Sequence, residues 1–149
     1  MPFTAGIYNQ FTCTCLLGFK GTFCEVPPAG YKYHDGSFFK FYATLKYNSG
    51  AVTSCEMNGG RLAMIKDQAT VDFLKNTIFA SVTNVYVWIG VRKISNVWQY
   101  APTGFSNWHP PMEPSGDGPC VEMREVWNYE WNDLPCNYNK NFLCEIVIP

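Results

Sequence analysis

Seven cysteines in a chain of 149 residues constrain this fold more than any other feature of the sequence. A cytosolic protein of this size rarely carries so many unless they bind metal or do redox chemistry. Zinc is disfavoured because no Cys-x-x-Cys pair occurs, and no thioredoxin-like dithiol is visible either. The cysteines therefore point to disulfides made in an oxidising compartment, with an odd one left over. Hydrophobic residues at 47% and aromatics at 17% supply ample material for a core. A net charge of -1 gives no electrostatic reason to expect nucleic acid as a partner. No stretch approaches the roughly 18 apolar residues a membrane helix needs, so no membrane insertion is expected. The opening Met1-Pro2-Phe3-Thr4 lacks the basic-then-apolar order of a signal peptide, so a secreted form is expected to be one whose leader has gone.

Residues 13–24 follow the pattern Cys-x-Cys-x-x-Gly-Phe-x-Gly-x-x-Cys, with Cys13, Cys15 and Cys24 as its cysteines and Gly18 and Gly21 free to adopt tight turns. This motif resembles the C-terminal half of an epidermal-growth-factor-like module. The resemblance implies a Cys15–Cys24 bridge and a Cys13 whose partner lies further upstream; alternatively Cys13 is free or pairs between molecules. Residues 1–26 are thus read as a partial module. Pro27-Pro28-Ala29 forms a stiff linker, and the main domain is expected over 30–149.

Within that domain, the aromatic run Ser37–Tyr42 reads as a strand and Ser49–Met57 as a helix ending at Asn58-Gly59-Gly60. Arg61–Ile65 alternates as a short strand. Asp67 is placed to cap a second helix whose inner face carries Val71, Leu74 and Ile78. Val85–Val91 is almost continuously apolar and suits a central strand buried on both faces. Arg92–Pro119 is turn-rich and irregular, and strands are expected at Cys120–Arg124, Glu130–Asn132 and Phe142–Ile148. The order is that of an α+β domain. An unstructured loop of this length is uncommon in a compact domain and is usually functional.

The ordered matches Cys55, Gly59-Gly60-Arg61-Leu62-Ala63, Trp88-Ile89-Gly90, Phe105-Ser106-Asn107-Trp108, Glu113-Pro114-Ser115, Cys120, Trp131-Asn132-Asp133, Cys136 and Cys144 make residues 30–149 resemble a C-type lectin-like domain of the short form. The resemblance implies two helices packed on small antiparallel sheets, a long calcium-stabilised loop, and bridges Cys55–Cys144 and Cys120–Cys136. It also implies one calcium ion that a sugar's vicinal hydroxyls help to coordinate, since calcium takes six to eight oxygens. Carried over position by position, the metal ligands are Glu113, Ser115, Asp117, Asn132 and Asp133, with Glu122 as a substitute for Asp117. Glu113, Ser115, Asn132 and Asp133 would also contact sugar. Trp127, or Tyr129 near it, would offer an aromatic face.

Two departures stand out. Serine replaces the asparagine of the mannose-type Glu-Pro-Asn motif, and the segment before Cys120 is about three residues short by comparison with the family. The Glu113–Pro114 bond is a candidate cis peptide. Arg92-Lys93 stands where an auxiliary calcium site would need acids. Trp108 is assigned to the core and His109 to a solvated loop.

The leading expectation is a calcium-dependent lectin of a secreted or cell-surface protein, selecting mannose-, glucose- or fucose-type diols, with microbial glycans and innate recognition suggested by family analogy. The alternative is a calcium-independent protein- or lipid-binding member in an adhesion or matrix protein. An enzyme is not expected: no nucleophile sits beside a histidine, no phosphate loop occurs, and the carboxylates fall on a loop rather than in an apolar cleft.

Overall fold

The computed structural model describes residues 28–148. The growth-factor-like motif, with Cys13 and the expected Cys15–Cys24 bridge, lies outside the described residues. A hairpin opens the domain, β1 (Lys32–His34) with β2 (Ser37–Lys46), followed by α1 (Asn48–Met57), β3 (Arg61–Leu62) and α2 (Gln68–Phe73), which runs on into a π-helical turn at Leu74–Ile78. Then come β4 (Tyr86–Ile94), β5 (Val97–Gln99), β6 (Cys120–Arg124), a single 3-10 turn, β7 (Glu130–Leu134) and β8 (Lys140–Val147). Asp67 caps α2 as expected, its carboxylate accepting from the Thr70 N–H at 2.8 Å.

The strands join in one sheet ordered β1-β2-β8-β4-β6-β7, with β3 on β8 and β5 on β4. The β4–β8 junction is parallel, so the sheet is mixed rather than a set of small antiparallel sheets. Such a pairing joins strands far apart in sequence, and local patterning carries no signal for it. The strand expected at Ser37–Tyr42 extends to Lys46, and β4 continues past Val91 to pair with β5 inside the stretch read as irregular. Ser95 and Asn96, with φ of 50° and 66°, make that hairpin turn without glycine.

β4 explains the architecture. Val87, Ile89 and Val91 face one apolar cluster with Ile65, Leu74, Phe79 and Trp131; Trp88, on the other face, packs with Phe142, Leu62 and Ala51. A strand buried on both faces needs the unbroken apolar run seen in the sequence. Cys55–Cys144 ties α1 to β8, and Cys120–Cys136 ties the start of β6 to the segment after β7, with Cα separations of 5.4 and 5.3 Å. Both pairings are those implied by the resemblance.

Candidate functional site

The irregular segment between β5 and β6 is anchored from beneath. Trp108 packs edge-on against Trp131 and Trp98, at centroid distances of 5.5 and 4.8 Å, and its indole N–H donates to Tyr100 Oη at 2.9 Å. Backbone bonds Trp131 N to Asn107 O and His109 N to Trp131 O hold the segment along β7. Glu113 N then donates to His109 O at 3.0 Å, and the Glu113–Pro114 peptide is cis, as is Pro110–Pro111. At the far end the chain passes so close to β7 that a Cβ on Gly118 would lie 2.2 Å from the Leu134 carbonyl carbon. No residue larger than glycine fits there.

The tip between these anchors folds onto one carboxylate. Asp133 is fully buried. Its Oδ1 accepts from Ser115 N at 2.8 Å and Ser115 Oγ at 3.1 Å, and its Oδ2 from Gly116 N at 2.9 Å. Ser115 Oγ also lies 2.9 Å from Asp117 Oδ2. Glu113 Oε1 accepts from Ser115 N at 3.3 Å, on the same residue whose N–H and hydroxyl reach Asp133. Burial, and then Asp133, push the Glu113 pKa up. Burial opposes ionisation of Asp133 as well, but bonds from Glu113, the Ser115 and Gly116 N–H groups and the Ser115 hydroxyl outweigh it and hold its pKa below the usual value. Neighbouring carboxyls disfavour each other's ionisation, and a proton or a cation between them relieves that cost.

Glu113, Ser115, Asp117 and Asp133 are therefore one connected cluster. Asn132 is not part of it. Alternation along β7 turns its side chain to the opposite face, where Nδ2 donates to Glu122 Oε2 at 2.7 Å. Glu122 is itself buried and pairs with Lys140 Nζ at 2.8 Å. Glu122 thus stands beside Asn132 and already has a cation, whereas the exposed Asp117 reaches the cluster through Ser115. Trp127 is occupied too: the His109 ring stacks on it at 4.1 Å and the Arg124 guanidinium lies 4.1 Å from its centre. His109, read as a solvated loop residue, is bonded to Glu130 at 2.8 Å. Tyr129 is buried against Phe79 and offers no open face. The Lys140–Glu122–Asn132 chain and the His109–Trp127–Arg124 stack escaped sequence reasoning because both are made by cross-strand register.

Among the described residues no three His, Cys, Asp or Glu side chains are grouped so as to hold a metal ion. The donor set still suits a hard cation in kind. The Glu113, Asp117 and Asp133 carboxyls and the Ser115 hydroxyl are all oxygen donors, and neutral oxygens would have to complete the shell.

The family model for the lectin C-type domain matches residues 45–146. The chain belongs to the C-type lectin family. That family is non-enzymatic, and many of its members bind glycans. Mouse collectin-10 is 32% identical over 127 residues, covering 80% of this chain and 45% of that protein, so the chain spans under half of this relative's length. Human lithostathine superposes with a TM-score of 0.72 at 24% identity, over 80% of this chain and 98% of that one, a likeness of fold. The Ca2+-independent C-type lectin SPL-2 from Saxidomus purpuratus gives a TM-score of 0.70 at 25% identity, covering 80% of this chain and 92% of that one.

Proposed function

We propose that this C-type lectin domain binds carbohydrate in a calcium-dependent manner at the loop tip. The observation that carries the reading is the gathering of Glu113, Asp117 and Asp133 around Ser115 at the loop tip, where neighbouring carboxyls oppose one another's ionisation and a divalent cation would relieve that opposition. Glu113, Ser115 and Asp133 would hold the ion, with Asp117 beside them and the Asn132 amide oxygen added if its side chain turns from Glu122. Bound calcium would supply vacant positions for two vicinal hydroxyls of a mannose-, glucose- or fucose-type sugar. The protein's part is orientation: Glu113 accepts from sugar hydroxyls, Ser115 donates or accepts, and the loop N–H groups keep the buried Asp133 ionised. So few carboxylates imply a weak site, suited to millimolar extracellular calcium.

The two disulfides support a secreted or cell-surface location. Residues 1–26 are proposed as a partial growth-factor-like module joined through 27–29, and microbial glycans as one class of target. One observation favours a second reading. Asp133 is already saturated by Ser115 and Gly116, so the loop closes on protein hydrogen bonds alone, and SPL-2 is by its description calcium-independent.

The deciding experiment is a glycan array probed with calcium and again with chelator, alongside calorimetric titration of calcium. Heat on titration and chelator-sensitive glycan retention are expected. Absence of heat together with equal retention in both buffers would replace the first reading by the second.

A further inference from the structure

Outside the acidic loop, exposed cations and exposed apolar side chains come together on the hairpin of β4 and β5. Its register pairs Arg92 with Gln99, Lys93 with Trp98 and Ile94 with Val97. Alternation along both strands puts Arg92, Ile94, Val97 and Gln99 on one face, and all four are exposed. Lys93 and Trp98 take the other face, where the Lys93 ammonium lies 5.2 Å from the Trp98 ring centre and Trp98 packs on Trp108. The hairpin is thus fixed from behind by aromatic packing and bare in front.

Ile94 is 54% and Val97 58% exposed. Single exposed apolar residues are ordinary on a protein surface and need no ligand. These two differ from the other large exposed hydrophobics of the described residues in facing each other across a strand pair, so their side chains stand side by side. Ser95 and Asn96, both at positive φ, close the turn between them with two neutral residues. The tip is therefore apolar and uncharged, and Arg92 and Lys93 stand immediately behind it. Neither makes an ion pair with a described residue. No Asp or Glu occurs from Phe73 to Met112, so this segment carries only positive charge in a chain whose net charge is -1.

An apolar wedge with a cationic collar matches the layering of an anionic bilayer, whose phosphates lie outside its acyl boundary. A protein partner is a poorer match, because a stable interface takes roughly 20–30 residues a side and the apolar part of this patch is one cross-strand pair. We infer that the β4–β5 hairpin docks the domain on an anionic phospholipid surface. Ile94 and Val97 enter the headgroup region, and Arg92 and Lys93 pair with lipid phosphate. The contact is peripheral, since no helix among the described residues is long and apolar enough to cross a membrane. It uses neither the loop tip nor a bound ion.

The test is cosedimentation of the full chain with vesicles of equimolar phosphatidylserine and phosphatidylcholine, and with phosphatidylcholine alone, in chelator-containing buffer. Chelator makes the result independent of the calcium reading. The chain should pellet with the anionic vesicles and hardly at all with the neutral ones. Ile94→Thr with Val97→Thr keeps β-branched side chains, and with them the strands, while removing apolar surface; partitioning should fall at least about tenfold at an unchanged thermal midpoint. Arg92→Gln should lower it about fivefold, an effect that fades at high salt. Amide hydrogen exchange over residues 94–97 should slow when anionic vesicles are present. Equal pelleting with both lipids, no pelleting at millimolar anionic lipid, or no loss on the double substitution would overturn the inference. So would a lipid-free dimer that the double substitution abolishes, which would assign this face to a second copy of the chain.

Discussion

Trp88 and Asp133 are both fully removed from solvent, and they stand for two regions held by different physics. Trp88 sits in a sheet core where burial is non-directional and many neighbours share the stabilisation; its indole N–H has a backbone partner, Lys46 O, at 3.0 Å. Asp133 is an ion in the same molecule, and its burial is tolerable only because Ser115 and Gly116 each place a donor on it. The core can lose one contact and relax. The loop cannot, since each hydrogen bond there answers a specific desolvation cost. Local opening of the loop should therefore require less free energy than global unfolding, and a ligand can bias such a segment most easily.

The sharpest way to break that contrast is to cut the core's covalent tie. Cys55→Ala with Cys144→Ala removes a bridge spanning 89 residues and should cost about 4–5 kcal/mol by chain entropy, read as a lowered denaturation midpoint over the whole domain. Asp133→Asn should cost less, about 1–3 kcal/mol, because one amide oxygen cannot serve donors converging on two carboxylate oxygens. Its mark would be faster hydrogen exchange confined to residues 113–118 and loss of any calcium heat, with the core protected as before.

Asp67 offers a smaller and pH-resolved effect. The Thr70 hydroxyl and N–H hold its pKa below the ordinary carboxylate value, so the cap stabilises above the unfolded-state pKa and fades as pH falls through the folded-state one. Asp67→Ala should thus cost about 1 kcal/mol at neutral pH and approach wild type in acid, as thermal melts across pH would report. Smallest of all, Ser115→Ala removes one hydroxyl at an exposed position. It should change stability by under about 1 kcal/mol, yet lower calcium affinity measurably if that hydroxyl is a ligand.

Much of the fold was legible because its signals are local. The apolar run Val85–Val91 and the Asp67 cap each reflect a short-range rule, and the structure reproduces them, whereas the two bridges, one joining residues 89 apart, were implied by the family resemblance. The site was legible in composition but not in arrangement. Glu113, Ser115, Asp117 and Asp133 do meet, whereas Asn132 is directed to Glu122 and Trp127 is covered by His109 and Arg124. Adjacent residues of a strand point to opposite faces, so Asn132 and Asp133 separate wherever β7 is regular.

What the amino-acid sequence determined by itself is the α+β domain, its two helices and the acidic composition of its loop. These follow from periodicity, capping and turn chemistry, which act over a few residues. The tertiary structure alone decided the parallel β4–β8 junction, the diversion of Asn132 to Glu122 and Lys140, and the covering of Trp127 by His109 and Arg124. Each of these depends on residues distant in the chain being brought into register, and that register is set by packing of the whole core rather than by any one segment.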